Sequence, residues 1–102
     1  MASTPEGKVK TAVKKYLTSI DAWYCMPATG GFGQSGVPDF LVCWKGLFYG
    51  IETKAPGGRP TPYQVHQLRA IRLTGGYEAI IVDKNDLTEF LTRLMVITKL
   101  TQ

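Results

Sequence analysis

The chain is short of the residues that most often hold soft metals or staple small folds. Its 102 residues include one histidine, His66, and two cysteines, Cys25 and Cys43. The cysteines stand in apolar, strand-like runs with no zinc-type spacing, so a structural zinc site is not expected. Sequence leaves open whether they pair, and buried reduced thiols are the better fit. His66 reads as a partly exposed helix residue. Long apolar runs are also missing, and the stretch MASTPEGKVK carries no apolar signal core. These two absences give the expectation of a soluble, intracellular protein. Excess charge is modest: 12 Lys+Arg against 8 Asp+Glu, formally +4. Such a balance suits an anionic partner such as nucleic acid, and it equally suits ordinary solubility. No internal repeat, low-complexity tract or linker interrupts the chain, so 1–102 reads as one domain with one core.

What the chain does have is an unusual stretch from Gly36 to Lys54, GVPDFLVCWKGLFYGIETK. Residues 38–44 and 47–54 read as two apolar strands joined by a turn at Lys45 and Gly46. The short connection makes them antiparallel neighbours. Asp39, at the start of one, then lies beside Glu52 and Lys54 at the end of the other. Glu52 and Lys54 are two residues apart and share a face. Charges on an apolar hairpin are costly unless they are paired or bind a cation. Glu-x-Lys alone is common and reads most simply as a salt bridge. Pro38 and Asp39 ahead of it make the combination more specific.

The flanking segments follow from periodicity and punctuation. Residues 4–20 predict an amphipathic helix, with Val9, Ala12, Val13, Tyr16, Leu17 and Ile20 on one face, Thr4 as cap and Pro5 at the first position. Glu6 in its first turn suits the helix dipole. Lys8, Lys10, Lys14 and Lys15 lie mostly off the apolar face, as a solvated surface or a phosphate-contacting one. Residues 22–28 predict a short strand. The glycine-rich loop 29–36, TGGFGQSG, lacks the Gly-Lys-Ser/Thr of a P-loop but is able to approach a phosphate backbone through its N–H groups. The continuous apolar run of 40–44 suggests a strand covered on both faces.

A helix is expected over 61–73, with Val65, Leu68 and Ile71 inward and Gly75 and Gly76 ending it. Thr61 and Gln64 have capping-box spacing. Residues 77–82 predict an interior strand. Asp86 and Glu89 resemble a second capping box, opening a helix that runs to about Ile97 with Leu87, Phe90, Leu91, Leu94 and Met95 inward. The order of elements predicts a small mixed sheet flanked by helices on both faces. A right-handed crossover through 61–73 sets the last strand parallel to the one ending at Lys54.

A hard divalent ion takes one or two carboxylates with several waters, and Asp39 and Glu52 can supply them. The Thr53 carbonyl between Glu52 and Lys54 offers a third ligand. Lys54 suits water positioning and charge stabilisation better than general-base work, because two carboxylates favour its charged form. This constellation resembles the PD-(D/E)xK nuclease superfamily and, within it, the VRR-NUC family of stand-alone, virus- and phage-type members. The matching residues are Gly36, Pro38, Asp39, Glu52, Thr53, Lys54, the run Ala55 to Arg59, and Thr61 to Gln64. Glu6, Gly75 and Gly76 also fit.

The resemblance implies a restriction-endonuclease-like α/β fold, an αβββαβ(α) core. It implies a Mg²⁺- or Mn²⁺-dependent deoxyribonuclease in which Asp39, Glu52 and the Thr53 carbonyl hold the metal. Lys54 is then the catalytic lysine, Gln64 an active-site glutamine, and Glu6 an acidic residue reaching the metal directly or through water. Lys8, Lys14, Lys15, Gly31, Gly33, Gln34, Ser35 and Arg59 are the candidate DNA contacts. The implied substrate is branched DNA of the Holliday-junction type, cleaved by a homodimer in the cytoplasm of a host cell. The alternatives are a flap or nicking nuclease and a non-catalytic nucleic-acid-binding module of the same fold.

Overall fold

In the computed structural model the described residues are 4–28 and 35–100. Helix α1 (Pro5–Ser19) leads to β1 (Trp23–Cys25), β2 (Phe40–Trp44) and β3 (Leu47–Thr53). Then come α2 (Pro62–Leu73), β4 (Tyr77–Ile81) and α3 (Lys84–Leu100). The strands form one sheet in the order β1-β2-β3-β4. The first two pairings are antiparallel, and β3 runs parallel to β4. The crossover through α2 therefore does what the sequence order requires.

Local chemistry explains the boundaries. The Thr4 hydroxyl accepts from the Gly7 N–H at 2.9 Å, and Pro5 occupies the first helical position of α1. Lys45 and Gly46 both have left-handed φ values, 49° and 79°. Two such residues in succession make the tight hairpin turn whose twist matches the flanking strands. In α2 the capping box is complete: Gln64 N–H donates to Thr61 Oγ1 at 3.2 Å, and Thr61 N–H donates to Gln64 Oε1 at 2.8 Å.

The third helix is capped differently from the expectation. It begins at Lys84, and the Asp83 carboxylate accepts from the Asp86 N–H at 2.9 Å. Asp83 is thus the capping residue. Asp86 instead accepts from the Val82 N–H at 3.0 Å, tying the helix start to the end of β4.

Register sorts the side chains into two faces. Phe40, Val42, Tyr49, Ile51, Ala79 and Ile81 are buried on the face that meets α1 and α3. There they pack with Val13, Leu17, Leu87, Phe90 and Leu94. Tyr49 and Phe90 meet edge-on at 5.3 Å between ring centroids. The Trp44 indole N–H donates to the Ile20 carbonyl at 3.2 Å, fastening β2 to the end of α1.

The opposite face is covered by α2 only over β3 and β4. Trp23, Cys43 and Phe48, aligned across three strands, remain exposed, Trp23 at 63%. This corrects the reading of β2 as covered on both faces and of Cys43 as buried. Both cysteines are free thiols. Among the described residues β4 is an edge strand, not an interior one. Its apolar run serves contacts with α2 and α3 on its two faces, which interior pairing would have required equally. Val65 and Met95, expected inward, are 47% and 55% exposed. No helix among the described residues is long and apolar enough to cross a membrane.

Candidate metal centre

The site is built at the open end of the β2–β3 hairpin. Phe40 pairs with Ile51, so one further step of the antiparallel register sets Asp39 across from Glu52. Thirteen residues of sequence separation are thus closed by a two-residue turn. On its other side Glu52 aligns with Ile80 of β4, and Lys54 continues the parallel ladder by donating its N–H to the Ile81 carbonyl at 3.0 Å. Glu52 is 1% exposed and Thr53 is fully buried, while Lys54 is half-buried beside them.

Thr53 holds the aspartate. Asp39 Oδ2 accepts from the Thr53 N–H at 3.0 Å and from its hydroxyl at 2.6 Å. Burial pushes the Asp39 carboxyl up. The Thr53 hydroxyl, a hydrogen bond with Glu52, the Thr53 N–H and the Lys10 charge together outweigh it, and Asp39 is held below its ordinary value. Glu52 goes the other way. Burial first, then the shared hydrogen bond and the charge of Asp39, push it up to about 8, against the opposing pull of Lys54 and Lys10. The two carboxyls are thus pushed apart, Asp39 toward its ionised form and Glu52 toward its protonated one.

Glu52 Oε2 is buried and has no hydrogen-bond partner among the described residues. Such an orphaned oxygen is costly, and a hard cation would satisfy it. The donor set, two carboxylates and a backbone carbonyl, is the oxygen chemistry that Mg²⁺ or Mn²⁺ takes. These residues fit the metal that the sequence resemblance implies. No group of three or more His, Cys, Asp or Glu side chains suited to a metal occurs among the described residues, so Glu6 does not join the pair in one.

Two close approaches position the segment before Asp39. Gly36 has φ 77°, and a Cβ there would lie 2.4 Å from the Tyr63 carbonyl carbon and 2.7 Å from the Gln64 nitrogen. Only glycine lets the chain lie against the start of α2 at this point. Gln67 adds a hydrogen bond to the Ser35 carbonyl at 3.2 Å. Deeper in the sheet, Gly50 leaves room for Pro38 and Ile71. Gln64 is thus set at the N-terminus of α2 next to the loop that delivers Asp39. Its side-chain oxygen is committed to the capping box, and the NH₂ is its donor group.

The expected DNA contacts are dispersed. Lys8 borders an apolar cavity of about 210 Å³ with Asp83 and Leu87, and Lys15 a neighbouring one of about 390 Å³ beside α3. Lys14 and Arg59 are exposed, as is Ser35. Gly31, Gly33 and Gln34 lie outside the described residues. The helix α1 residue that does reach the acidic pair is Lys10, whose Nζ stands 4.0 Å from Asp39 Oδ1. The sequence pattern groups it with Lys8, Lys14 and Lys15 as a solvated or phosphate-contacting lysine. The available signal was its spacing: Lys10 is four residues from Glu6 and so lies on the same helix face.

Comparison with known proteins agrees with this architecture. No family model matches the sequence. A protein of Acyrthosiphon pisum secondary endosymbiont phage 1, named "Putative nuclease p44", is 42% identical over 60 residues, 58% of this chain and 63% of that protein. The chain thus spans less than two thirds of that relative's length. A solved structure described as a VRR_NUC domain superposes with a TM-score of 0.77 at 22% identity, covering 88% of this chain and 97% of the other. The four-stranded mixed sheet with its three helices has the VRR-NUC fold.

Proposed function

We propose that the chain is a VRR-NUC-type nuclease that hydrolyses DNA phosphodiester bonds with Mg²⁺ or Mn²⁺. The observation that carries this reading is Asp39 set across from a buried Glu52 whose Oε2 is unpartnered. Asp39, Glu52 and the Thr53 carbonyl would hold the metal. When bound, the metal supplies an activated water and neutralises charge on the phosphate. Thr53 fixes the orientation of Asp39 through two hydrogen bonds. Glu52 gives up its proton on loading, which makes metal affinity rise with pH. Lys54, held by its backbone to β4, positions the water and offsets negative charge in the transition state. The NH₂ of Gln64, beside the helix N-terminus, would offer a donor to a phosphate oxygen.

The substrate we favour is branched DNA cleaved by a homodimer. Two copies would set two sites on two strands. The bare sheet face carrying Trp23, Cys43 and Phe48 gives such a pairing an apolar surface. Labelled four-way junction, flap, single-stranded and duplex DNA, each incubated with Mg²⁺, Mn²⁺ or EDTA, test the reading. Cleavage should need metal and should vanish in Asp39→Asn and fall in Lys54→Ala. Equal cleavage by Asp39→Asn would refute the site, and metal-independent binding without cleavage would leave only a binding module. Light scattering reads the dimer, and an active monomer would remove that part.

A further inference from the structure

Lys10 is not accounted for by the ligand set. Its side chain is about one-third exposed, and its ammonium faces Asp39 Oδ1 at 4.0 Å. That distance gives attraction without a hydrogen bond, so little has to break when it moves. The other Asp39 oxygen already accepts two hydrogen bonds from Thr53. Oδ2 thus holds both Thr53 donors, and Oδ1 is the oxygen on the Lys10 side, where a cation would meet Asp39. The ammonium and a divalent ion therefore compete for one atom.

We infer that Lys10 is a resident counter-ion: it neutralises Asp39 in the metal-free protein and passes to a DNA phosphate when a divalent cation takes Oδ1. The inference rests on the reading of Asp39 as a metal ligand. Three features support the transfer. The lysine stem is flexible and already partly in solvent, so the head can turn without disturbing the core. Helix α1 keeps its base fixed by burying Val13 and Leu17, so the ammonium stays beside the site. A phosphate is the anion that must come there next, and it offers the charge that Asp39 withdraws.

Calorimetric titration of Mn²⁺ without DNA tests the first half, using wild type, Lys10→Met, Lys10→Arg and Asp39→Asn. Lys10→Met should bind Mn²⁺ about three- to tenfold more tightly, because a competing charge is gone. Lys10→Arg should behave as wild type. A merely structural lysine predicts unchanged or weaker binding in Lys10→Met, and either result overturns the inference while leaving the ligand set intact. Wild-type affinity in Asp39→Asn would instead sink the ligand assignment. The second half is read from duplex DNA binding in Ca²⁺ at several salt concentrations. The slope of log affinity against log salt should fall by about one in Lys10→Met and be kept in Lys10→Arg. An unchanged slope in Lys10→Met overturns the transfer.

Discussion

The two faces of the sheet obey different rules. One is closed by α1 and α3 and carries Phe40, Val42, Tyr49, Ile51, Ala79 and Ile81 in continuous burial. The other is closed by α2 only over β3 and β4, and it carries Gly50 and Glu52 under the helix and Trp23, Cys43 and Phe48 in the open. Stability resides mainly on the first face. Glu52 lies at the strand end of the second, where packing is incomplete and a carboxylate is enclosed without being matched.

This contrast can be broken in graded steps. Phe40→Ala removes a fully buried ring from the closed face and should cost about 3–5 kcal/mol in urea unfolding. Phe48→Ala, on the opposite and open face, should cost far less.

Gly36→Ala acts on the joint between the faces. Its Cβ would strike the Tyr63 carbonyl, and its backbone is left-handed. The expected cost is about 1–3 kcal/mol, together with a loss of metal binding out of proportion to the loss of stability. Calorimetry on the folded variant measures the second effect, and unaltered metal binding would show that the Gly36 contact does not position Asp39.

The acidic pair should leave a signature in pH titration of the metal-free protein. Between pH 4.5 and about 8 the folded chain keeps a proton on Glu52 that the unfolded chain has released. Stability should therefore fall as pH rises through that window, by at most about 1.4 kcal/mol per pH unit, and level off above it. Asp39 has the opposite sign: its contribution is lost as pH falls below the ordinary carboxylate range. Glu52→Gln should flatten the upper slope in urea melts at pH 5 and pH 8, and a slope that survives it would belong to another group.

The smallest effect belongs to the bare face. Trp23→Ser and Phe48→Ser should change monomer stability by no more than about 0.5 kcal/mol. If that face is the proposed dimer contact, the same changes should shift the light-scattering mass toward monomer.

The hairpin and its charged end were legible because the signals are local. A two-residue turn fixes register, and register fixes which carboxylates face each other. The capping box of α2 and the parallel crossover were legible for the same kind of reason. What escaped depends on neighbours that sequence does not name. A run such as YEAII is apolar whether a third strand or a helix covers it, so β4 read as interior. Phe40 to Trp44 is continuously apolar, yet α2 stops short of β2 and leaves Cys43 in the open. Asp83 and Asp86 are both acceptable caps, and only the path out of β4 decides between them. Lys10 differs from Lys8 by two residues, which on a helix is just over half a turn. One faces Asp39 and the other borders a cavity beside α3.

The turn at Lys45 and Gly46 carries a consequence for the order of assembly. Asp39 and Glu52 belong to one hairpin, a unit that closes on a timescale of about 1–10 μs. Lys10 belongs to α1 and reaches Asp39 across 29 residues of chain, a contact that waits for the sheet and helices to dock. Two carboxylates are thus brought together before the cation that offsets them arrives. Until α1 docks, their repulsion is relieved only by solvent and counter-ions, so added salt should speed the docking step more than the closing of the turn.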